Sequence, residues 1–540
     1  MNSLVMLLIL SLFYSFNANA EKLEQDSFET SLQNLNSKSF KDKLLAVKSF
    51  SISKDKRVLP VMQAMLDAEL YYRKSDKRIV FAKKNGSSYA ITDVISAESY
   101  GEVKKKKIKK IRINNSLRRL LRTSIAGLSL GSSSADVRYK ALQEIIKKID
   151  GDSIELLRSR KDKETDKKIL ELIDVGLNLY AIDNGNKEER IKAVEALSDS
   201  VNTEVRKKIS ALLEKENNTY LEEDREVRLA AQKAIDSINT NVEISEFVET
   251  TFFGLSLGSV LVLSAIGLAI TFGVMGVINM AHGELMMIGA YTTYVVQMLM
   301  PNHIDISLFV AIPAAFIVAG SFGILIERGV IRYLYGRPLE TLLATFGISL
   351  ILQQLVRSVF SPLNRSVETP SWMSGSLEIN SVLSLTYNRL YIIVFALIVF
   401  ALLLMVMKRT SLGLKVRAVS QNRPMAKAMG IRTEWVDALT FGLGSGIAGI
   451  AGVALSQLTN VGPNLGQTYI IDSFMVVVFG GVGNLWGTLV AGMSLGVANK
   501  IMEPWAGAVL AKILVLIFII MFIQKKPRGL FPQKGRSAEN

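Results

Sequence analysis

The stretch TFFGLSLGSVLVLSAIGLAITFGV, residues 251–274, decides the fold. It holds no charged residue, and a helix crossing a hydrocarbon core of about 30 Å needs about 20 apolar residues. Just before it, Glu243, Glu246 and Glu249 close a charged, helix-patterned half of the chain. Beyond it, apolar spans recur at about 280–300, 306–326, 340–361, 389–407, 435–457 and 508–524. A further apolar segment, about 471–499, is interrupted at Gly480-Gly481-Val482-Gly483-Asn484. The chain therefore reads as an integral membrane protein with a large soluble domain in front.

The composition averages two unlike halves: 49% of the 540 residues are hydrophobic, yet 21% are charged. Much of the net charge of +15 lies at span ends, where cytoplasmic loops collect Lys and Arg. That reading displaces nucleic acid as a partner. There is no cysteine, and His282 and His303 are the only histidines. Disulfides, thiolate chemistry and multi-histidine metal sites are thereby excluded.

Leu4 to Phe16 is an apolar run followed by Ala18-Asn19-Ala20, a small-x-small cleavage pattern. The run is short for a span, and no Lys or Arg precedes it. It reads as a secretory signal cut after Ala20, or else as an uncleaved anchor; either way the segment from Glu21 is exported. Within about 21–245, four segments share a pattern of a cation, two residues, then an alanine in an apolar stripe. They begin at Lys43, Arg138, Arg190 and Arg228. Asp136-Val137-Arg138 and Glu226-Val227-Arg228 add the acidic-Val-Arg opening of HEAT-type repeats. A degenerate helical-repeat domain and an ordinary helical bundle both fit. Between Arg78 and Ile95, β-rich runs flank Asn85-Gly86, a hairpin signal. The lysines of Lys104 to Lys110 read as a basic docking strand, or as protection of a solvated edge strand.

Basic residues set the orientation. Arg328, Arg332 and Arg337, the loop from Lys408 to Arg432, and the tail with Lys525, Lys526, Arg528, Lys534 and Arg536 should be cytoplasmic. An exported front domain agrees: three crossings reach Arg328 and two more reach Lys408. From there to the tail the crossings must be even in number. Segment 471–499 then cannot cross once, and it is shorter than the ~40 residues of two crossings. A re-entrant pair of half-helices follows, with Gly480, Gly481, Gly483 and Asn484 near a translocation path. The rival reading is that these glycines permit close packing, as Gly442-x-x-x-Gly446 and Gly492-x-x-x-Gly496 do.

Asn279, His282, Gly283 and Glu284 lie at the edge of a hydrophobic region, where polar groups must be bonded or wet. They read as a gate or path element, or as a cytoplasmic turn with Glu284 at a helix amino terminus. In the basic loop, Asn422 caps a short helix, Pro424 occupies its first turn, and Gly430 ends it. Met425, Ala426, Ala428 and Met429 give it an apolar surface suited to a groove on a partner protein. No Gly-x-x-x-x-Gly-Lys-Ser/Thr phosphate loop occurs. Any ATP must be bound by partner subunits, and no nucleophile–base arrangement suggests an enzyme.

Several separated motifs together resemble the permeases of branched-chain amino acid ABC transporters. They are Gly254-Leu-Ser-Leu-Gly-Ser, Ile266-Gly-Leu, Val277-Ile-Asn-Met-Ala-His-Gly-Glu and Met287-Ile-Gly-Ala-Tyr. Arg337-Pro-Leu, Gly347-Ile-Ser-Leu-Ile-Leu-Gln and Arg417-Ala-Val-Ser-Gln-Asn-x-x-Met-Ala-x-x-Met-Gly-Ile continue the series. Gly449-Ile-Ala-Gly-Val and Val478-Phe-Gly-Gly-Val-Gly-Asn-Leu-Trp-Gly complete it. The resemblance covers about residues 250–530. It implies a second permease subunit, two ATP-binding subunits and a periplasmic solute-binding protein as partners, with Asn422 to Gly430 as the coupling helix on an ATPase. A signal, an exported helical domain and this core are similar to the urea-transporting members, which makes urea the expected solute. An amino acid is the alternative, and a membrane-anchored scaffold a more distant one.

The expected fold is thus a membrane all-α permease core with about seven crossings plus a broken re-entrant segment, in a bacterial inner membrane. It follows a periplasmic, mainly α, HEAT-like domain with a small β-hairpin insertion. The expected boundaries are a signal at 1–20, the periplasmic domain at 21–245, the permease at 250–530 and a cytoplasmic tail at 531–540.

Overall fold

A computed structural model describes residues 28–532 except 54, 86, 87 and 148. The expected signal, Gly86 of the hairpin turn, and Lys534 and Arg536 of the tail lie outside the described residues. The chain divides into two compact units, Met1–Asn241 and Val242–Asn540, the division falling within the helix Arg225–Met275.

In the first unit, α1 (Phe40–Ile52), α2 (Val58–Leu66) and α3 (Asn115–Leu130) enclose a core of Phe28, Leu32, Val47, Phe50, Val61 and Leu121. Asn114 caps α3 by accepting from the Leu117 N–H at 2.8 Å. The expected hairpin is present, with Asn85 opposite Ser88, but it is the middle of a larger structure. Strands β1 (Leu70–Arg73), β2 (Ile79–Asn85), β3 (Ser88–Asp93), β4 (Ser99–Lys104) and β5 (Ile108–Lys110) form one antiparallel sheet in the order β4-β3-β2-β1-β5. The lysines fall where a sheet needs them: Lys104 ends one edge strand, and Lys109 and Lys110 occupy the other.

The rest of the unit is helical: α4 (Ala135–Ile146), α5 (Gly151–Lys161), α6 (Lys167–Asn184), α7 (Lys187–Ala196) and α8 (Thr203–Ala211), then the start of α9 (Arg225–Met275). The repeated cations explain part of this order. Arg138 donates to the carbonyls of Ser132 and Ser133, and Arg228 to those of Glu222 and Glu223. Each guanidinium thus ties down the turn that precedes its own helix. Arg138 also makes a two-pronged, buried pair with Glu164, both bonds 2.8 Å. Burial pushes the Glu164 carboxyl up. Hydrogen bonds from Arg138, Arg160 and the backbone N–H groups of Asp166 and Thr165 outweigh that and hold it at about 2.

The second unit continues α9 and adds α10 (His282–Leu299), α11 (Ile304–Gly329), α12 (Pro338–Phe360) and α13 (Tyr387–Arg409). After these come α14 (Ser411–Gln421), α15 (Arg423–Ala428), α16 (Thr433–Ser456), α17 (Leu465–Gly480) and α18 (Leu485–Lys525). Among the described residues, six helices are long and apolar enough to cross a membrane: α9, α11, α12, α13, α16 and α18. α17 is a shorter apolar helix. α18 is two helices joined at Gly507, whose φ of 76° is not helical. The core is built on α10, whose Leu285, Met286, Met287 and Ala290 are fully buried. Glycine pairs bring its neighbours to backbone contact: a Cβ at Gly289 would strike Gly449 of α16, and one at Gly449 would strike Ala315 of α11.

The buried pair in the first unit gives a direct test. Glu164→Ala leaves Arg138 uncompensated and should cost about 3–5 kcal/mol. Hydrogen exchange of α4 and α5 in the full-length protein should accelerate accordingly. The folded carboxyl, at about 2, lies below its unfolded value of about 4.3. This contribution is therefore complete above pH ~4.3 and is lost as the pH falls toward ~2.

Candidate functional site

α9 ends at Met275, and Gly276 turns the chain with φ 66°. α10 does not start at that level. His282 Nε2–H donates to the carbonyl of Ser264 at 2.7 Å. Ser264 stands about 16 Å back along α9 from Met275 at 1.5 Å per residue. Residues 276–281 therefore run back beside α9 without helical structure, and α10 begins deep within the helix assembly. Non-helical backbone at such depth must find partners in the protein. The Met280 N–H donates to Thr345 Oγ1 at 3.1 Å, and the Ala281 N–H to Asn279 Oδ1 at 3.0 Å.

The first turn of α10 carries Gly283 and Glu284. A Cβ at Gly283 would strike the Gly466 carbonyl, so the starts of α10 and α17 meet backbone to backbone. Glu284 is 1% exposed. Its Oε1 accepts from Gln353 Nε2 at 2.7 Å and from Ser349 Oγ at 3.0 Å. Glu284 Oε2, Asn279 Nδ2 and His282 Nδ1 are buried and have no hydrogen-bond partner among the described residues. These are unmet donors and acceptors at one depth, an arrangement able to exchange hydrogen bonds with a small polar solute.

Of the cytoplasmic-turn reading of Asn279 to Glu284, the helix amino terminus is present, with Glu284 in the first turn of α10, but the exposed position is not. The four residues are buried inside the helix assembly, and Thr345, Ser349 and Gln353 hold them. Those partners were not singled out from sequence, although a signal existed. Thr341, Thr345, Ser349, Gln353 and Arg357 recur every fourth residue on an otherwise apolar span.

The expected re-entrant break at Gly480 to Asn484 is also corrected. α17 and α18 are longer than the apolar window suggested, and the turn between them lies beside the chain that follows α18. Leu530 N–H donates to Phe479 O at 2.9 Å, Phe531 N–H to Gly480 O at 3.2 Å, and Asn484 Nδ2 to Phe531 O at 3.1 Å. The turn is thus level with Lys525 and Arg528, at a helix end, and Gly481 and Gly483 adopt φ 102° and 76° to make it. Gly480 packs on Gly487, and Gly483 on Gly273. Gly273 lies about 9 Å along α9 from Gly267, which touches His282. The turn and the Glu284 cluster are neighbours along α9 but not one constellation. Two helices, the shorter apolar α17 and the first part of α18, stand where the half-helices were expected.

The patterned basic loop folds as its residues direct. Asn422 Oδ1 accepts from the Met425 N–H at 3.0 Å, Pro424 sits in the first turn of α15, and Gly430, with φ 83°, ends it. The apolar residues divide between two faces. Ala426 is buried against Val416, Val419 and Val436, while Met425 and Met429 are 60% and 77% exposed. Arg423 pairs with Asp437 of α16 and lies 3.9 Å over the Tyr335 ring. Arg332 reaches Glu434 at 2.8 Å. A cavity of about 420 Å³, lined by Glu327, Arg332, Tyr335, Arg423, Lys427 and Asp437, opens beside α15.

Residues 250–524 match the family described as "Branched-chain amino acid transport system / permease component". The high-affinity branched-chain amino acid transport system permease protein LivH of Salmonella typhimurium is 32% identical over 295 residues, 53% of this chain and 95% of that protein. The corresponding protein BraD of Pseudomonas aeruginosa is 29% identical over 297 residues, 53% of this chain and 96% of its own length. The ribose import permease protein RbsC of Haemophilus influenzae is 22% identical over 253 residues, covering 45% and 73%. No solved structure matches the chain.

The Glu284 cluster yields a graded expectation. Glu284→Ala strands Ser349 and Gln353 and should lower solute uptake at least tenfold. Glu284→Gln keeps one acceptor oxygen and should retain more uptake than the alanine variant at equal membrane abundance, as measured with radiolabelled solute.

Proposed function

The chain belongs to the family of branched-chain amino acid transport permeases, whose members are transport components and not enzymes, and on that premise we propose that it imports urea by alternating access. The carrying observation is the cluster at the start of α10, where unpaired polar atoms of Asn279, His282 and Glu284 are buried at depth. Such groups are costly in a membrane unless they serve a pathway.

Three observations support urea. The match begins at residue 250, so the large first unit lies outside what the relatives share. Asp437 is paired with Arg423 and Asp472 with Lys512, while one carboxylate oxygen of Glu284 accepts from Gln353 and Ser349. What remains unpaired there, Glu284 Oε2, His282 Nδ1 and Asn279 Nδ2, offers acceptors and an N–H donor, matched to a small uncharged molecule with N–H donors and one carbonyl. A branched-chain amino acid is the second reading, favoured by the names of the relatives.

In this reading the first unit and the loop between α12 and α13 face the periplasm, and α14, α15 and the tail face the cytosol. A solute-binding protein delivers from outside, a second permease completes the path, and two ATP-binding subunits drive it. ATP stays on those subunits. α15 docks on one of them through Met425 and Met429, while Ala426, Arg423 and Asp437 fasten it to α16. α16 packs on α10, so movement of α15 reaches the Glu284 cluster through rigid helices.

Cells lacking the chain should lose uptake of radiolabelled urea and keep that of leucine; loss of leucine uptake alone would establish the second reading. Met425→Asp combined with Met429→Asp alters two exposed side chains. It should leave the chain in the membrane, abolish co-purification of the ATP-binding subunit, and reduce uptake at least tenfold.

A further inference from the structure

Exposed polar groups at membrane depth are informative, because lipid cannot bond them. On α17, Asn464 just before the helix, then Gln467, Thr468 and Ile471, recur at helical spacing and are all exposed. At one end of this row Arg357 Nη2 donates to Asn464 Oδ1 at 2.8 Å. At the other, Lys512 Nζ meets Asp472 Oδ2 at 3.0 Å, and the lysine side chain is 45% exposed. Gly480 marks the end of α17 beside Phe531. Asp472 and Thr468 stand about 12 and 18 Å along the helix from it, in the middle of a ~30 Å hydrocarbon layer.

The contrast with other exposed surfaces is sharp. Val509, Leu510 and Ile513 of α18, and Ile317 and Leu325 of α11, are exposed and apolar, as a lipid-facing surface should be. Thr468 Oγ1 donates to the Asn464 carbonyl at 3.3 Å, but lipid over the row would strip water from the Gln467 amide and from the exposed part of the Lys512 ammonium, at a cost of several kcal/mol in total. The row also stands directly in front of the Glu284 cluster. Gly283 touches Gly466, and Gln353, which holds Glu284, is one turn from Arg357 on α12. Of the row's two cations, Lys512 is paired with Asp472 and Arg357 is bonded to the Asn464 side chain.

We propose that Arg357, Asn464, Gln467, Thr468 and the Lys512–Asp472 pair line a water-filled passage through the bilayer. An uncharged solute exchanges hydrogen bonds with water for those of Gln467 and Thr468 there. The proposal rests on the transport reading of the chain but not on the identity of the solute. An uncharged molecule is neither trapped nor repelled by the charges of this lining, whereas an anion would compete with Asp472 for Lys512.

The chain has no cysteine, so an introduced cysteine is its sole thiol. Gln467→Cys and Thr468→Cys, with Val509→Cys as the lipid-facing reference, are each assembled with the partner subunits in membrane vesicles. Each is treated with methanethiosulfonate ethyltrimethylammonium, an aqueous cationic thiol reagent, and modification of this subunit is followed by mass. Modification at 467 and 468 at least tenfold faster than at 509, with loss of uptake, is the expected result. Rates at 467 and 468 no faster than at 509 overturn the proposal, because the row is then covered by lipid or by a tightly packed second subunit. Two adjacent exposed positions guard against misfolding of one variant. Slowing of the reaction by urea, but not leucine, bears separately on the solute. Slowing by leucine alone refutes urea while the passage stands.

Discussion

Within a hydrocarbon layer, every backbone N–H and C=O must be answered by the protein itself, and an orphan costs several kcal/mol. The core of this permease is organised around one place where a helix cannot do the answering. Residues 276–281 leave α9 and run back into the assembly, and Thr345 and Asn279 supply the bonds that a helix would have made. Given that path, α10 has to start deep. His282 and Glu284 are carried in with it, and Ser264, Ser349 and Gln353 become obligatory companions. The approach is possible because Gly283 meets Gly466 and Gly289 meets Gly449 with no side chain between them. Backbone satisfaction, close packing and a buried polar cluster are thus one arrangement.

The spans were legible because hydropathy is set by solvent, and charges are sparse after residue 250. The short helix after Asn422 was legible because a cap, a proline and a glycine act locally, through bonds within a few residues. The depth of Asn279 to Glu284 was not. A polar run between two apolar ones reads alike whether it rests at the surface or is drawn inward, and the partners that α12 supplies lie 65 or more residues away. The break at Gly480 was misplaced for a related reason. Gln467 and Thr468 lower the hydropathy of the first two turns of α17, so the apolar window opened late and the start of the helix was missed.

In the first unit, the hairpin announced itself through Asn85-Gly86, but the full sheet did not. β1 and β5 span four and three residues, too few for alternation to register, and the lysines beside β5 disguise it as a charged loop. The recurring cation before alanine has a plain mechanical basis. Arg138 and Arg228 each bond two carbonyls five and six residues earlier, and arginine's fixed fork of donors suits that task. Arg190 reaches the Ile182 carbonyl and Glu222 by a different route, so the likeness among these segments is partial.

The strand-like pairing of Leu530 and Phe531 with Phe479 and Gly480 has a practical side. The segment just past the final helix is a structural part of the turn between α17 and α18, and Asn484 leans on it as well. An affinity handle or fluorescent fusion joined directly after Lys526 would remove that support and expose the carbonyls of two helix-end residues. Appended beyond residue 532, the same handle leaves the pairing whole, so the choice of junction decides whether a tagged preparation reports on the native molecule.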